Sequence, residues 1–264
     1  MPESAETRLT VDFLESNLKG NMITRWGFVS GRYCDEPPEG FEEFENALPM
    51  KVDEVSCKGK FIYASLRSGE SSYHVLHSLM MTGRWQKDHD DFCKWFVETD
   101  TGTTLWFSDS RALGTVKFTD DPGVLQSKID GLGPDILRPE FSLPVFKGLV
   151  AKFKNRNITS MLMDQAVISG CGNVIKAEAL YYAKVSPLRK TGSLTEREQE
   201  ILFEGVKIIP RLAYNAGGIS IKDFEVDGVK GEFQRELKIY GKPHAKRTKT
   251  ADGRTTYWAP DYQV

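Results

Sequence analysis

The sequence predicts an α+β protein: a β-rich first half, a helical second half and a closing β-hairpin. Three observations carry that expectation. Between residues 22 and 118, short runs rich in apolar residues alternate with turn residues, the pattern of a sandwich or barrel. After Leu132-Gly133-Pro134-Asp135 the apolar period becomes helical. The charge divides at the same place. Residues 1–137 hold 14 basic against 23 acidic side chains, a net of −9, and residues 138–264 hold 21 against 14, a net of +7. That asymmetry, hidden in a whole-chain charge of −2, suggests a polyanion as partner of the second half.

The remaining bulk properties exclude several classes. A chain of 264 residues with 40% hydrophobic content suits one large domain or two modest ones. No uninterrupted apolar run approaches the roughly 18 residues of a membrane span, and the N-terminus lacks the basic-then-apolar pattern of a signal peptide. Cys34, Cys57, Cys93 and Cys171 lie far apart with no Cys-x-x-Cys pair, which reads as reduced thiols in an intracellular protein. A nuclear or cytoplasmic setting is expected, or a viral factory were the source viral.

Taken in order, the chain opens on Met1-Pro2-Glu3-Ser4-Ala5-Glu6. Removal of Met1 would expose the secondary amine of Pro2. An α-amino group titrates near pH 8, so part of it is nucleophilic at neutral pH, and an amine beside a carboxylate can form an iminium while the carboxylate moves protons. Most N-termini of this kind are simply disordered tails. Val11, Leu14 and Leu18 then mark an amphipathic helix over Glu6–Lys19, with Gly20 as its stop. Strands are expected at Met22–Ser30, Lys51–Cys57, Lys60–Leu66, Tyr73–Met81, Phe92–Glu98, Thr104–Phe107 and Thr115–Phe118, and Asp35–Glu45 reads as a loop leading into a short helix.

Lys58-Gly59-Lys60 reads as a tight turn, where a lysine is most often merely solvated. His74 and His77, three apart on a strand, face opposite ways and make a poor metal pair, so both are core or surface residues. Asp109–Gly114 interrupts a strand pattern and presents Arg111 and Leu113 together, although an ordinary hairpin has the same signature.

Beyond the boundary, Val145–Phe153 and Ser160–Gln165 read as helices. Ser169-Gly170-Cys171-Gly172-Asn173 breaks the pattern, and Asn173 is expected to cap a helix over Val174–Lys184. Two glycines ahead of a helix N-terminus make a natural phosphate seat. Thr195-Glu196-Arg197-Glu198 is a capping box opening a helix to about Tyr214, stopped by Gly217-Gly218. The basic run Lys242–Lys249 and the segment Gly253–Gln263 read as the final hairpin.

In this order and spacing, Pro2-Glu3, Glu6, Gly59-Lys60, Asp164-Gln165 with Gly170-Cys171-Gly172-Asn173, Glu178-Ala179-Leu180 and Gly253-Arg254-Thr255-Thr256 resemble the formamidopyrimidine-DNA glycosylase/endonuclease VIII family of base-excision repair. The resemblance spans nearly the whole chain. It implies an N-terminal β-sandwich catalytic domain (1–131), a helix–two-turn–helix DNA-binding domain (132–225) and a terminal finger (226–264). Two departures stand out. The family usually reads Pro-Glu-Gly-Pro-Glu, where this chain has Ser4 and Ala5. The finger also has Ala259 and Tyr262 where the last pair of metal ligands would be, and only His244 is left to bind one, against the four ligands of a structural zinc site. In this the chain resembles the zincless-finger branch, and Gly27–Leu66 looks most like giant-virus members.

The resemblance implies a bifunctional DNA glycosylase/AP lyase, without cofactor or metal, acting as a monomer on damaged double-stranded DNA. In that reading Pro2 is the nucleophile, Glu3 the general acid/base at the sugar, and Glu6 the anchor of the N-terminal helix. Lys60 contacts phosphate or lesion, and Asn173 and Arg254 hold the kinked backbone. Met81, Arg111 and Leu113 fill the hole left by the extruded base, a task that suits apolar wedges and an arginine. Oxidised pyrimidines and hydantoins are the expected lesions, although Gly217–Phe224 looks like the lesion-capping loop of the branch that takes 8-oxoguanine. A non-catalytic lesion or junction sensor, and a general helix–two-turn–helix adaptor, are the alternatives. Borohydride trapping on abasic DNA separates both from the enzyme.

Overall fold

The computed structural model describes residues 2–219 and 225–264; Ser220–Phe224 of the expected capping loop lie outside the described residues. The first half runs α1 (Ser4–Leu18), β1 (Met22–Phe28), α2 (Phe41–Asn46), β2 (Met50–Lys58), β3 (Phe61–Ser68), β4 (Ser71–Ser78), β5 (Arg84–Gln86), β6 (Cys93–Thr99), β7 (Thr104–Ser108), β8 (Thr115–Thr119) and α3 (Pro122–Asp130). There follow α4 (Leu143–Lys152), α5 (Ile158–Met163), α6 (Asn173–Tyr182) and α7 (Glu196–Asn215), then β9 (Lys246–Lys249) and β10 (Thr255–Trp258).

The eight strands of the first half hydrogen-bond in the order β5-β7-β6-β1-β2-β3-β4-β8. β1 is the corner: it pairs with β2 only at Met22 and Ile23, then shifts register and runs along β6 to Phe28. There the sheet folds over itself. His77 of β4 packs edge-on against Trp95 of β6 and Phe107 of β7, strands distant from it in the hydrogen-bonding order. Trp26, Val97, Phe107 and Phe118 fill the space between the layers, and α1 closes one end with Val11, Leu14 and Leu18. This is the expected sandwich.

A second core lies among the later helices, built from Phe146, Met161, Ile175, Leu180, Leu202 and Val206. Ala5 of α1 belongs to this second core, so one helix is shared between both. α7 starts as its sequence predicts: Thr195 Oγ1 accepts from Glu198 N–H, and Glu198 Oε2 accepts from Thr195 N–H at 2.7 Å.

The sequence reading missed β5 and α3. β5 has three residues, too few to show alternation. α3 did carry a start signal, with Asp121 capping Gly123 N–H at 2.7 Å and Pro122 in the first helical position. α5 begins two residues earlier than expected because Asn157 caps it, its Oδ1 accepting from Thr159 N–H at 2.9 Å.

Both histidines are core residues. His77 is 4% exposed; its Nδ1 meets Thr115 O at 2.8 Å and its Nε2 receives Trp85 Nε1–H at 3.1 Å. Together those bonds require a neutral ring with its proton on Nδ1. Burial pushes the ring's pKa down to about 4, against the opposing pull of the Thr115 carbonyl. Between pH 6.5 and 4 the unfolded chain takes up a proton here that the folded one refuses, so stability falls as the pH drops through that window, by up to about 3 kcal/mol. His77→Gln can donate and accept in the same places without titrating. Urea unfolding between about pH 4.5 and 7 should therefore show a pH slope smaller by nearly one proton in His77→Gln than in wild type; equal slopes would mean that His77 already titrates normally in the fold.

Candidate active site

The site is built where the first turn of α1 meets the glycine loop before α6. Pro2 is buried and lines a cavity of about 240 Å³ with Lys60, Met80, Met81 and Arg254. Behind it, Glu3 is 1% exposed and reaches into the second half of the chain. Its carboxylate accepts from Val174 N–H at 2.8 Å and from Ile175 N–H at 3.0 Å. These are orphan donors of the first turn of α6, where the helix dipole favours an anion. Gly172 makes the approach possible, since a Cβ there would lie 2.1 Å from the Glu3 carboxyl carbon.

This seat corrects the expectation that Asn173 caps α6. Gly172 is the cap residue and Asn173 the first helical one, because the Glu3 carboxylate has taken the donors that an Asn side chain would satisfy. Freed from that task, Asn173 turns its Nδ2 to Thr255 O at 3.0 Å, beside Arg254. The helix also ends at Tyr182 rather than Lys184.

Glu6 lies one turn further along α1. Its Oε2 accepts from Glu3 N–H at 2.8 Å and its Oε1 from Ile219 N–H at 2.7 Å. Burial raises its pKa, while the N–H groups of Ile219 and Glu3 pull it back. Glu6 thus ties the start of α1 to the segment that follows α7. Ser4 and Ala5, the unusual pair, are fully buried and stand in regular helix, with Ser4 N–H donating to Gly170 O at 3.2 Å.

Lys60 arrives on the β2–β3 turn. Gly59 there has φ +61, and a Cβ on it would come within 2.6 Å of Gly170 N, so turn and glycine loop touch backbone to backbone. Gly59 N–H also donates to Asp135 Oδ2 at 2.8 Å. Burial lowers the pKa of Lys60, and nearby Glu3 partly restores it. Gln165 holds the loop itself: its Oε1 accepts from Gly170 N–H and its Nε2 donates to Cys171 O, both at 2.9 Å.

Arg254 is carried by the β9–β10 turn, which the second half grips firmly. Lys176 of α6 pairs with Asp252 at 2.7 Å with both side chains buried. Glu178, also buried, accepts from Lys238, Ile239 and Tyr240 N–H on the approach to the hairpin.

Arg111 and Leu113 stand on a separate loop that is tied to the turn bearing Met81. Asp109 is fully buried; its Oδ2 accepts from Leu113 and Gly114 N–H at 2.7 Å, and its Oδ1 from Arg111 N–H and Thr82 Oγ1. Arg111 remains exposed. The structure therefore brings Pro2, Lys60, Met81 and Arg254 into one cavity, sets Glu3, Glu6 and Asn173 immediately behind it, and holds Arg111 and Leu113 alongside. Sequence reasoning gave no holding role to Asp109, Thr82, Asp135 or Lys176, and it named Gln165 only as part of a motif. A larger cavity of about 690 Å³ lies between α6, α7 and the last residues, walled by apolar groups such as Tyr182, Ile208 and Leu212.

Known proteins share both the sequence pattern and the architecture. Residues 1–116 match the formamidopyrimidine-DNA glycosylase N-terminal domain, and residues 132–225 match the formamidopyrimidine-DNA glycosylase H2TH domain. The formamidopyrimidine-DNA glycosylase of Xanthomonas campestris is 31% identical over 254 residues, covering 92% of this chain and 89% of its own. That of Prochlorococcus marinus is 28% identical over the full length of both. The crystal structure of the MutM (Fpg) protein from Thermus thermophilus superposes with a TM-score of 0.85 at 25% identity, covering 99% of this chain and 98% of its own. The Lactococcus lactis Fpg in complex with DNA containing an abasic site shares the fold at TM-score 0.85 and 24% identity, covering 99% of each chain.

Because the Glu3 seat depends on a missing Cβ, Gly172→Ala should cost about 1–3 kcal/mol, the usual penalty of overpacking. Gly148→Ala in α4, where an added Cβ meets nothing within 4 Å, should be neutral or stabilise by up to about 1 kcal/mol. Urea denaturation of the two variants checks the contrast, and equal stabilities would mean that Glu3 can leave α6 without loss.

Proposed function

The chain belongs to the formamidopyrimidine-DNA glycosylase family and is a DNA glycosylase of base-excision repair, and from that premise we propose that it is bifunctional, with Pro2 as nucleophile and AP lyase. The observation that carries the reading is the sharing of one cavity by Pro2, Lys60 and Arg254 directly above a Glu3 carboxylate held by two N–H donors. The freed amine of Pro2 attacks C1′ of an extruded nucleotide, and the N-glycosidic bond breaks as the damaged base leaves with a proton. Glu3 moves protons at the sugar ring. As a proton passes to O4′ the C1′–O4′ bond breaks, opening the ring and leaving Pro2 as an iminium on C1′. Removal of the C2′ proton then expels the 3′ phosphate, removal of the C4′ proton expels the 5′ phosphate, and water hydrolyses the iminium to free Pro2.

The remaining residues take complementary tasks. Asn173 and Arg254 hold phosphates of the kinked strand, which the excess positive charge of the second half attracts. Lys60 contacts phosphate or lesion from the cavity it shares with Pro2. Met81, Arg111 and Leu113 occupy the vacated stack. Oxidised pyrimidines and hydantoins are the proposed lesions.

The decisive experiment uses an abasic-site duplex with borohydride, which reduces the iminium to a permanent adduct. Protein beginning at Pro2 should be trapped. Retaining Met1 or adding a residue before it converts the same nitrogen to an amide and should abolish trapping, while DNA binding survives. Trapping of the blocked protein would assign the nucleophile to a lysine such as Lys60. Failure of both forms would leave a lesion sensor.

We also propose that the finger is of the zincless kind. The support is in its side chains: Gln263 Oε1 accepts from Ala259 N–H at 2.8 Å and its Nε2 donates to Val185 O at 2.9 Å, spanning the place where Ala259 and Tyr262 replace metal ligands. Chelation should leave melting temperature and strand cleavage unchanged, and one stoichiometric zinc by elemental analysis would end the proposal.

A further inference from the structure

Met80 lines the Pro2 cavity with a side chain that works against the fold. It is a non-glycine residue with φ +58, in the left-handed region, on the turn that leads from β4 to β5. A side chain there costs roughly 1–2 kcal/mol that glycine would avoid. The conformation is imposed by its neighbours, since Gly83 N–H closes the turn on Leu79 O at 3.1 Å and Thr82 is bound to Asp109. Packing returns little of the cost, because Met80 is 47% exposed. A side chain kept at the expense of stability at the mouth of a catalytic cavity points to a task in binding.

The composition of the cavity says which task. Its cations, Lys60 and Arg254, suit phosphate and sugar oxygens, but among the described residues that line it there is no aromatic ring. An extruded base has lost its stacking partners and needs a surface for its π-face. Thioethers provide one: they are polarizable, flexible and attracted to aromatic rings. Three methionines line the cavity: Met81, only partly exposed, is already assigned to the duplex, Met163, also partly exposed, is the last residue of α5, and Met80 alone of the three is exposed. We infer that Met80 is a specificity-determining residue, its thioether forming the wall of the cavity against which the extruded damaged base packs. This rests on the glycosylase reading above and adds to it the surface that discriminates among lesions.

The test is single-turnover excision by the full chain beginning at Pro2. The substrates are thymine glycol and a hydantoin lesion, each in duplex and in single-stranded DNA, with borohydride trapping on abasic DNA measured in parallel. Met80→Gly should change the ratio of the two excision rates by about tenfold, the size expected for one apolar contact. The change should be the same in duplex and single strand. Trapping on abasic DNA, which has no base, should stay within about twofold of wild type, and the melting temperature should be unchanged or higher because the strain is gone. Met80→Leu, which keeps the apolar volume, should hold the wild-type ratio within about twofold. An unchanged ratio in Met80→Gly overturns the inference. A loss confined to duplex DNA overturns it in favour of a second wedge beside Met81, and an equal loss in abasic trapping overturns it in favour of general damage to the site. Wild-type protein that traps but shows no effect of Met80 sinks only this inference, whereas wild-type protein that neither excises nor traps sinks the glycosylase reading with it.

Discussion

The structure turns on one buried interaction, the Glu3 carboxylate seated on the first N–H groups of α6. A carboxylate taken out of water is costly unless every oxygen finds donors. Here the donors are helix N-terminal amides that would themselves be orphaned without it. Each side satisfies the other, and the match spans 171 residues of chain. Since Glu3 directly follows Pro2, the seat also sets where Pro2 stands in its cavity. Any slack in it would be passed to Pro2, and under the proposed mechanism misplacement by about 1 Å can cost roughly 10²-fold in rate.

Around that seat the first 131 residues are also tied to the rest of the chain by hydrogen bonds. Gly59 N–H meets Asp135, Tyr214 Oη–H donates to Asp12 at 2.7 Å, and Glu6 accepts from Ile219. α1 serves both sides, with Ala5 in the helical core and Val11, Leu14 and Leu18 in the sandwich. The helix that begins directly after Pro2 and Glu3 is therefore the member shared between a half of net charge −9 and one of +7. The excess positive charge of the second half suits long-range attraction of a DNA partner.

What could be read from the sequence was what neighbours along the chain decide. The Thr195 capping box, the period of α1 and the closing hairpin are local patterns, and each is present as predicted. Asn173 failed as a cap for the opposite reason. Local rules favour an Asn at that place, but the carboxylate of Glu3, far upstream, claims the same donors, and no local pattern announces it. The Asp109–Thr82 bond spans 27 residues and the Asp135–Gly59 bond 76, so neither had a sequence signal. Pro2, Lys60 and Arg254 were legible only through the order of motifs that accompany them. Taken singly, each was a tail residue, a turn lysine and a hairpin arginine.

The closing hairpin shows how an exposed arginine can be placed by polar side chains. A two-stranded ribbon is marginal by itself in water. This one is gripped at its turn by the buried Lys176–Asp252 pair, with Asp252 and Thr256 both bound to Thr250 Oγ1. On its strands Trp258 Nε1–H donates to Thr248 Oγ1 at 2.9 Å, and beyond them Gln263 fastens the tail to Val185. A buried ion pair is weak evidence of stability, because desolvation consumes much of its attraction, but breaking it leaves a bare charge inside. Such a pair penalises every register except the correct one. A hairpin slipped by one residue would strand Lys176 without Asp252 and carry Arg254 away from Asn173. The expensive contact therefore serves position more than strength, and Arg254 is the residue whose position it sets.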